Sequence, residues 1–276
     1  MLYIVATPIG NMGDITYRAV ETLKSVDVIA CEDTRNSQKL LNHYEIHKPL
    51  ITYHKFNETV STQGILKLLD EGKDVALISD GGMPLISDPG NILTRVLHEK
   101  GVSYTVVPGP NAALSALVLS GLDATKFTFI GFLPEKNSKK EEILLNYAER
   151  EETLIFHVSC HNLKEDIQLI SKIYGKRKAS LVKEITKMHE TIIDFNLGDE
   201  IEVDQRGEFV LVVEGNNKNN SKLIKNNDKI IIENKNELIN QVEKFEKMGL
   251  KRMDAIKLVA KENKVKKDEI YKLFNK

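Results

Sequence analysis

Short apolar runs alternate with segments of helical spacing over the first 215 residues. Leu2–Ala6, Val26–Cys31, Leu50–Tyr53, Val75–Ile78 and Tyr104–Val107 read as buried strands. Between them, Ile15–Lys24, Thr59–Asp70 and Ile92–Lys100 place apolar residues three and four apart, the spacing of amphipathic helices, and Arg35–Asn42 reads as a further helix. This order predicts an α/β domain with a mainly parallel sheet. Pro108-Gly109-Pro110-Asn111 is a strong break, and the nearly uncharged helix expected after it, Ala112–Ser120, belongs in a core. A second set follows. Phe127–Phe132, Thr153–His157, Ala179–Glu184, Thr191–Phe195 and Phe209–Val213 read as strands, and Glu141–Glu149 and Leu163–Ile173 as helices. The higher share of strands and the hairpin-like spacing predict a mixed sheet.

The pattern changes after residue 215. Residues 216–236 are polar and repetitive and are expected to form a linker, with Ile230-Ile231-Ile232 as a candidate edge strand. Glu237–Met248, Arg252–Glu262 and Lys267–Phe274 have helical spacing. They predict a small helix-turn-helix-like module, or a helical hairpin packed on the body or on a partner subunit. The expected layout is therefore an N-terminal α/β domain (1–110), a second α/β domain (111–215), a linker (216–236) and a helical module (237–276).

Charge adds a second asymmetry. The 276 residues carry a net charge of −1, which excludes a uniformly basic nucleic-acid coat or a polybasic membrane binder. Residues 215–276, however, hold 16 basic against 9 acidic residues. A basic tail on an acidic body suits contact with a polyanion, or is simply a solvated helical face. Cys31 and Cys160 form no CxxC pair, which fits a reducing compartment. The start lacks a basic segment before Pro8, and the longest uncharged run, Gly101–Leu122, is cut by Pro108 and Pro110. A soluble cytoplasmic protein with no membrane contact is expected.

The densest chemical signal is Ser79-Asp80-Gly81-Gly82-Met83-Pro84-Leu85-Ile86-Ser87-Asp88-Pro89-Gly90, directly after a predicted parallel strand. Ligands of open α/β sheets bind beyond such strand ends. This loop has two carboxylates and no Lys or Arg, so it suits a cationic or neutral adenosine-type ligand better than a phosphate. Two further Gly/Pro loops, Ala6–Asp14 and Val107–Ala113, follow other strands, and together the three would line one cleft. Ala30-Cys31-Glu32-Asp33-Thr34-Arg35 also ends a strand. It can orient a hydroxyl and a phosphate, or Asp33 or Thr34 simply caps the next helix. His54, Asn57 and Glu58 follow the next strand, and Lys183–Glu190 adds polar candidates from the second half. His157-Val158-Ser159-Cys160-His161 lacks a second ligand pair at zinc spacing, so no metal is expected. There is no P-loop, G-x-S-x-G or H-E-x-x-H.

Taken together, Leu2–Ile15, Ala30–Arg35, Leu40–Tyr44, Tyr53-His54 with Asn57-Glu58, Ser79–Gly90, Pro108–Leu117, Gly131–Pro134, Lys183–Glu190 and Gly207–Gly215 resemble the tetrapyrrole methylase superfamily, specifically its branch of small-subunit ribosomal RNA methyltransferases. The chain departs at Gly81 and Met83, where Ala and Thr are commoner, and at Asn111, where Ser is usual. It also has Asn162 where an Arg often stands, which weakens that loop as a phosphate holder. The resemblance implies two α/β domains with the cofactor cleft between them, a homodimer, and S-adenosylmethionine as cofactor. It implies methyl transfer to the ribose 2′-hydroxyl of a cytidine in the decoding region of 16S rRNA. By analogy Pro8, Asp80, Gly82, Met83, Pro84, Ile86 and Ala112 line the cofactor pocket, and Leu181, Leu211 and Val213 flank the adenine. Glu32 or Asp33 would take the hydroxyl proton, with Arg35 on an adjacent phosphate. His54, Asn57, Glu58, Lys187, Glu190, Lys251, Arg252 and Lys257 are the expected RNA contacts, with Lys136, Lys139, Lys140, Lys176 and Arg177 as further ones. The rival classes are a corrin-precursor C-methylase and a non-catalytic RNA-binding assembly factor.

Overall fold

The computed structural model describes residues 1–216, 238–246, 250–262 and 267–274. The expected linker and the candidate strand Ile230-Ile231-Ile232 lie outside the described residues, apart from Asn216. Residues 1–216 form one compact unit built on two sheets, and the described residues after them belong to a second.

The first sheet has five strands, β1 (Leu2–Val5), β2 (Val28–Cys31), β3 (Leu50–Thr52), β4 (Val75–Leu77) and β5 (Tyr104–Val107), in the order β3-β2-β4-β1-β5. Every pairing is parallel. The helices between them are α1 (Tyr17–Ser25), α2 (Thr34–His43), α3 (Glu58–Asp70) and α4 (Asn91–Glu99). Ala19, Leu23 and Leu41 of α1 and α2 cover one face; Ile65, Leu66, Leu93 and Leu97 of α3 and α4 cover the other. Burial on both faces is why these strands are continuous apolar runs rather than alternating ones. Helix starts follow capping chemistry. Thr16 accepts from the Ala19 N–H at 3.1 Å, Asp33 from Arg35 N–H at 2.8 Å, and Asn111 from Leu114 N–H at 3.0 Å. Thr16 therefore starts α1 two residues later than the apolar pattern suggests.

α5 (Ala112–Leu119) leads into the second sheet, formed by β6 (Phe127–Phe132), β7 (Thr153–Val158), β8 (Lys178–Lys183), β9 (Thr191–Asn196) and β10 (Phe209–Val213). Its order is β6-β7-β10-β8-β9, with only β6 and β7 parallel. α6 (Asn137–Tyr147) and α7 (Leu163–Tyr174) complete this half. One sheet face packs on α6 and α7 through Leu144, Leu163, Ile167 and Ile170. The other meets α5 through Ala113, Ala116 and Leu117, and also meets Ile9 from the loop after β1. α6 starts four residues before the expected Glu141, because its first turn is the polar Asn137-Ser138-Lys139-Lys140.

In the second unit, a helix over 238–246 (α8), α9 (Arg252–Glu262) and α10 (Lys267–Phe274) share a core of Val242, Ala255, Ile256, Val259, Ala260 and Ile270. No helix among the described residues is long and apolar enough to cross a membrane.

Candidate active site

Because β1 to β5 all run in one direction, the segments that follow them gather at one edge of the first sheet. Thr7 and Gly82 exchange two backbone hydrogen bonds of 2.9 Å, tying the loop after β1 to the loop after β4. Thr7 Oγ1 also donates to the Ser79 carbonyl at 3.2 Å. Gly82 holds φ +87°, where a side chain is strained, and a Cβ there would stand 3.3 Å from Ile9 Cγ2 and 3.8 Å from the Pro110 carbonyl. The three Gly/Pro loops thus meet at Gly82. Pro8, Asp80, Met83 and Pro84 belong to this convergence, Ala112 opens α5 beside Pro110, and Ile86 is exposed on the loop. Met83 turns its side chain into the core under α3 and α4, leaving its backbone to the cleft.

Carboxylates cluster around these loops. Asp80 accepts from the Asp33 N–H at 3.3 Å and from Asn36 Nδ2 at 3.0 Å, which ties the loop after β4 to the start of α2. Burial and the neighbouring Asp80 charge raise Glu32 above the ordinary carboxylate range, with His54 pulling the other way. Burial pushes Asp88 up to about 6, against a hydrogen bond from Ser79, and the charges of Glu32 and Asp80 add to the rise. Asp33 behaves oppositely. The Arg35 side chain and the Arg35 N–H hold it down to about 2. Arg35 itself lies in solvent, bidentate on Asp33 at 3.2 and 2.8 Å. So the two adjacent carboxylates, equivalent in the sequence, differ: one is a helix cap with a partner, the other is half-buried among like charges.

Four expected RNA contacts are engaged within the protein, three of them with backbone N–H groups. Glu58 Oε1 accepts from Gly90 N–H at 2.8 Å, Ile92 N–H at 3.1 Å and Tyr53 Oη at 3.2 Å. It thereby caps α4, whose own N-cap is a glycine with no side chain to offer. Asn57 accepts from the His54 N–H at 2.7 Å and closes the turn after β3. Lys187 is paired with Glu184 and Glu208, each at 2.9 Å, and its stem lies against Gly10. Glu190 accepts from Thr186 N–H at 2.6 Å, and Thr186 Oγ1 donates to Asp14. Residues 184–190 therefore strap the second sheet to the loop after β1. His54 is different: its Nδ1 is buried without a hydrogen-bond partner, beside Glu32.

Other expected residues lie apart from the cleft. Leu181, Leu211 and Val213 are fully buried on the face of the second sheet that packs on α6 and α7, so their side chains point away from α5 and the loops. Their neighbours Val182, Val210 and Val212 occupy the loop-side face. Lys140 and Arg177 are corrections of a firmer kind. Lys140 is buried against Asp166 at 2.5 Å, and Arg177 is buried over the Tyr174 ring, donating to the Ala148 carbonyl. Neither can reach an external phosphate. In the second unit Arg252 is bidentate on Glu246 at 2.8 and 3.2 Å, Lys257 pairs with Asp254 at 3.1 Å, and Lys251 is exposed.

The elevated Asp88 carries a stability prediction. An acid raised in the folded state is bound to a proton there at pH values where the unfolded chain has released it, so it weakens the fold as pH rises. Asp88→Asn is expected to stabilise the protein above pH 6 and to lose that advantage as pH falls from about 6 toward 3.8. Denaturant midpoints of both proteins across this range measure the difference. Equal midpoints at pH 7 would remove Asp88 from the cluster.

This arrangement offers bare backbone, hydroxyl acceptors and part-buried carboxylates, with no cation in the segment 78–90. It suits a positively charged ligand that carries polar hydroxyl and amino groups, held next to a carboxylate able to accept a proton. A family model described as tetrapyrrole (corrin/porphyrin) methylases matches residues 1–200. The chain is 38% identical over 278 residues to ribosomal RNA small subunit methyltransferase I of Halalkalibacterium halodurans, covering 99% of this chain and 94% of that protein. It is 44% identical over 221 residues to the protein of the same name from Bacillus subtilis, covering 79% and 76% of the two chains. Among solved structures, uroporphyrin-III-C-methyltransferase from Thermus thermophilus shares the fold, with a TM-score of 0.57 at 20% identity over 77% of this chain and 93% of that one.

Proposed function

The chain belongs to the tetrapyrrole methylase family, as a methyltransferase that uses S-adenosylmethionine, and from that premise we propose that it methylates small-subunit ribosomal RNA at the ribose 2′-hydroxyl of a cytidine in the 16S decoding region. The donor supplies an already activated methyl group on a sulfonium. The residues present fit it: the loop 78–90 has carboxylates and no competing cation, and Gly82, whose N–H and carbonyl both bond Thr7, ties this loop to the one after β1. Pro8, Asp80, Gly82, Met83, Pro84, Ile86 and Ala112 hold it, and Leu181, Leu211 and Val213 contribute through backbone alone.

The observation that carries the reading is the half-buried Glu32 at the end of β2, beside a cation-free ligand loop. Glu32 accepts the proton from the ribose hydroxyl, and His54 orients its carboxylate. Asp33 keeps Arg35 in place until Arg35 meets an RNA phosphate. Asn57, Glu58, Lys187 and Glu190 act indirectly, by fixing the loops that frame the acceptor. Lys251, Arg252 and Lys257 of the helical module, with Lys136, Lys139 and Lys176 on the body, meet backbone phosphates. The exposed Leu114 and Val118 of α5 suit contact with a second copy in a homodimer.

Unmodified small ribosomal subunits incubated with labelled S-adenosylmethionine and this protein should gain one ribose methyl on a decoding-region cytidine, located by mapping the modified ribose. Affinity for the subunits should fall steeply with salt. Transfer to a corrin precursor, with none to RNA, would overturn the reading.

A further inference from the structure

We propose that Phe132, backed by His157 and Phe129, is a stacking platform for an unpaired nucleobase of the RNA; this rests on the RNA reading above. The starting observation is a backbone irregularity. In the β6–β7 ladder Phe129 pairs with Ile155, Gly131 with Phe156, and Phe132 with His157, so Ile130 is an extra residue in β6. Residues three apart on a regular strand point to opposite faces. The bulge cancels that and turns Phe129 and Phe132 to the same side. Both rings then sit edge-on to His157, each with centroids 5.1 Å apart and interplanar angles of 71° and 69°.

The side chosen is the one that matters for chemistry. Ile155, which pairs with Phe129, belongs to the sheet face that meets α5 and Ile9, the face toward the ligand loops. Gly131 allows the bulge at φ +75°, and a Cβ there would stand 3.4 Å from Ser87 Oγ, so the bulge abuts the loop after β4. Phe129 is partly buried, but Phe132 is 57% exposed. A backed, exposed ring next to the donor loop is placed for a ligand rather than for the core.

The chemistry selects a nucleobase. Burial lowers the His157 pKa and keeps the imidazole neutral, so the wall is an uncharged aromatic surface. His157 Nε2, buried without a hydrogen-bond partner, is the polar atom behind it. Just beyond, Lys136 and Lys139 are exposed at the start of α6, where the phosphates flanking a stacked base would run. Proteins that read unpaired RNA combine these parts: an aromatic face for the base and cations for its backbone.

The test uses the full-length protein, small ribosomal subunits and S-adenosylmethionine. Phe132→Ala should raise the subunit concentration for half-saturation about tenfold or more in both direct binding and methylation. Donor affinity by calorimetry and the rate at saturating subunits should stay unchanged, and Phe132→Trp should restore tight binding. Unchanged subunit affinity in Phe132→Ala would overturn the proposal, as would a loss confined to the donor, which would give the platform to adenine. If the wild-type protein binds subunits but transfers no methyl group, the functional reading fails. The binding comparison then still decides the platform.

Discussion

Asp166→Ala is expected to cost about 3–5 kcal/mol of stability, without changing the affinity of the folded protein for RNA. Lys140 and Asp166 join α6 to α7, and their side chains are only 4% and 6% exposed. Removing the carboxylate leaves an ammonium buried with its counter-charge gone, and this uncompensated desolvation is the source of the loss. Replacing both partners with apolar residues of similar size, Lys140→Met with Asp166→Leu, should recover most of it, since the pair itself gains little over a packed apolar contact. Urea midpoints of the wild type, Lys140→Met, Asp166→Leu and the double variant form a complete cycle, with Asp166→Ala measured beside it. A single variant within about 1 kcal/mol of the wild type would mean the pair is solvated in solution.

That pair also shows where the sequence stops being readable. Lys139-Lys140-Glu141-Glu142 looks like a solvated charge run, and nothing local distinguishes Lys140 from its neighbours. Its partner is 26 residues away. Glu58 and Gly90 are 32 residues apart, and Thr186 and Asp14 are 172 apart. Each is a polar side chain whose role is set by tertiary contact. The parallel sheet, by contrast, announces itself in apolar runs such as Val28–Cys31, because burial on both faces leaves no room for a polar residue. The same property hides orientation. β8 and β10 are buried on both faces, so no alternation distinguishes Leu181 and Leu211, which pack on α6 and α7, from Val182 and Val210, which face α5. The Gly/Pro loops were legible because backbone geometry is local; the bulge that re-aims Phe132 was not, because it exists only relative to β7.

Glu32→Gln should lower the single-turnover methylation rate by about 10²–10⁴-fold, with donor affinity changed far less. Gln keeps the shape and can still hydrogen-bond the ribose hydroxyl, so the loss isolates proton acceptance. The pH profile makes the assignment specific. The base works only when ionised, so the wild-type rate should rise with pH through an inflection above the ordinary carboxylate range, because burial and Asp80 raise Glu32. Asp80→Asn removes a neighbouring negative charge and should move that inflection to lower pH. Asp88 also titrates in this region, near 6. The inflection should therefore persist in Asp88→Asn and vanish in Glu32→Gln. Asp33→Asn is the sharper control. Asp33 is already committed to the α2 N-terminus and Arg35, and its low pKa makes it a weak proton acceptor. Its loss should cost far less than that of Glu32. If Asp33→Asn loses the rate and Glu32→Gln keeps it, the proton goes to the capping carboxylate, and the separation of roles between these two adjacent residues is wrong.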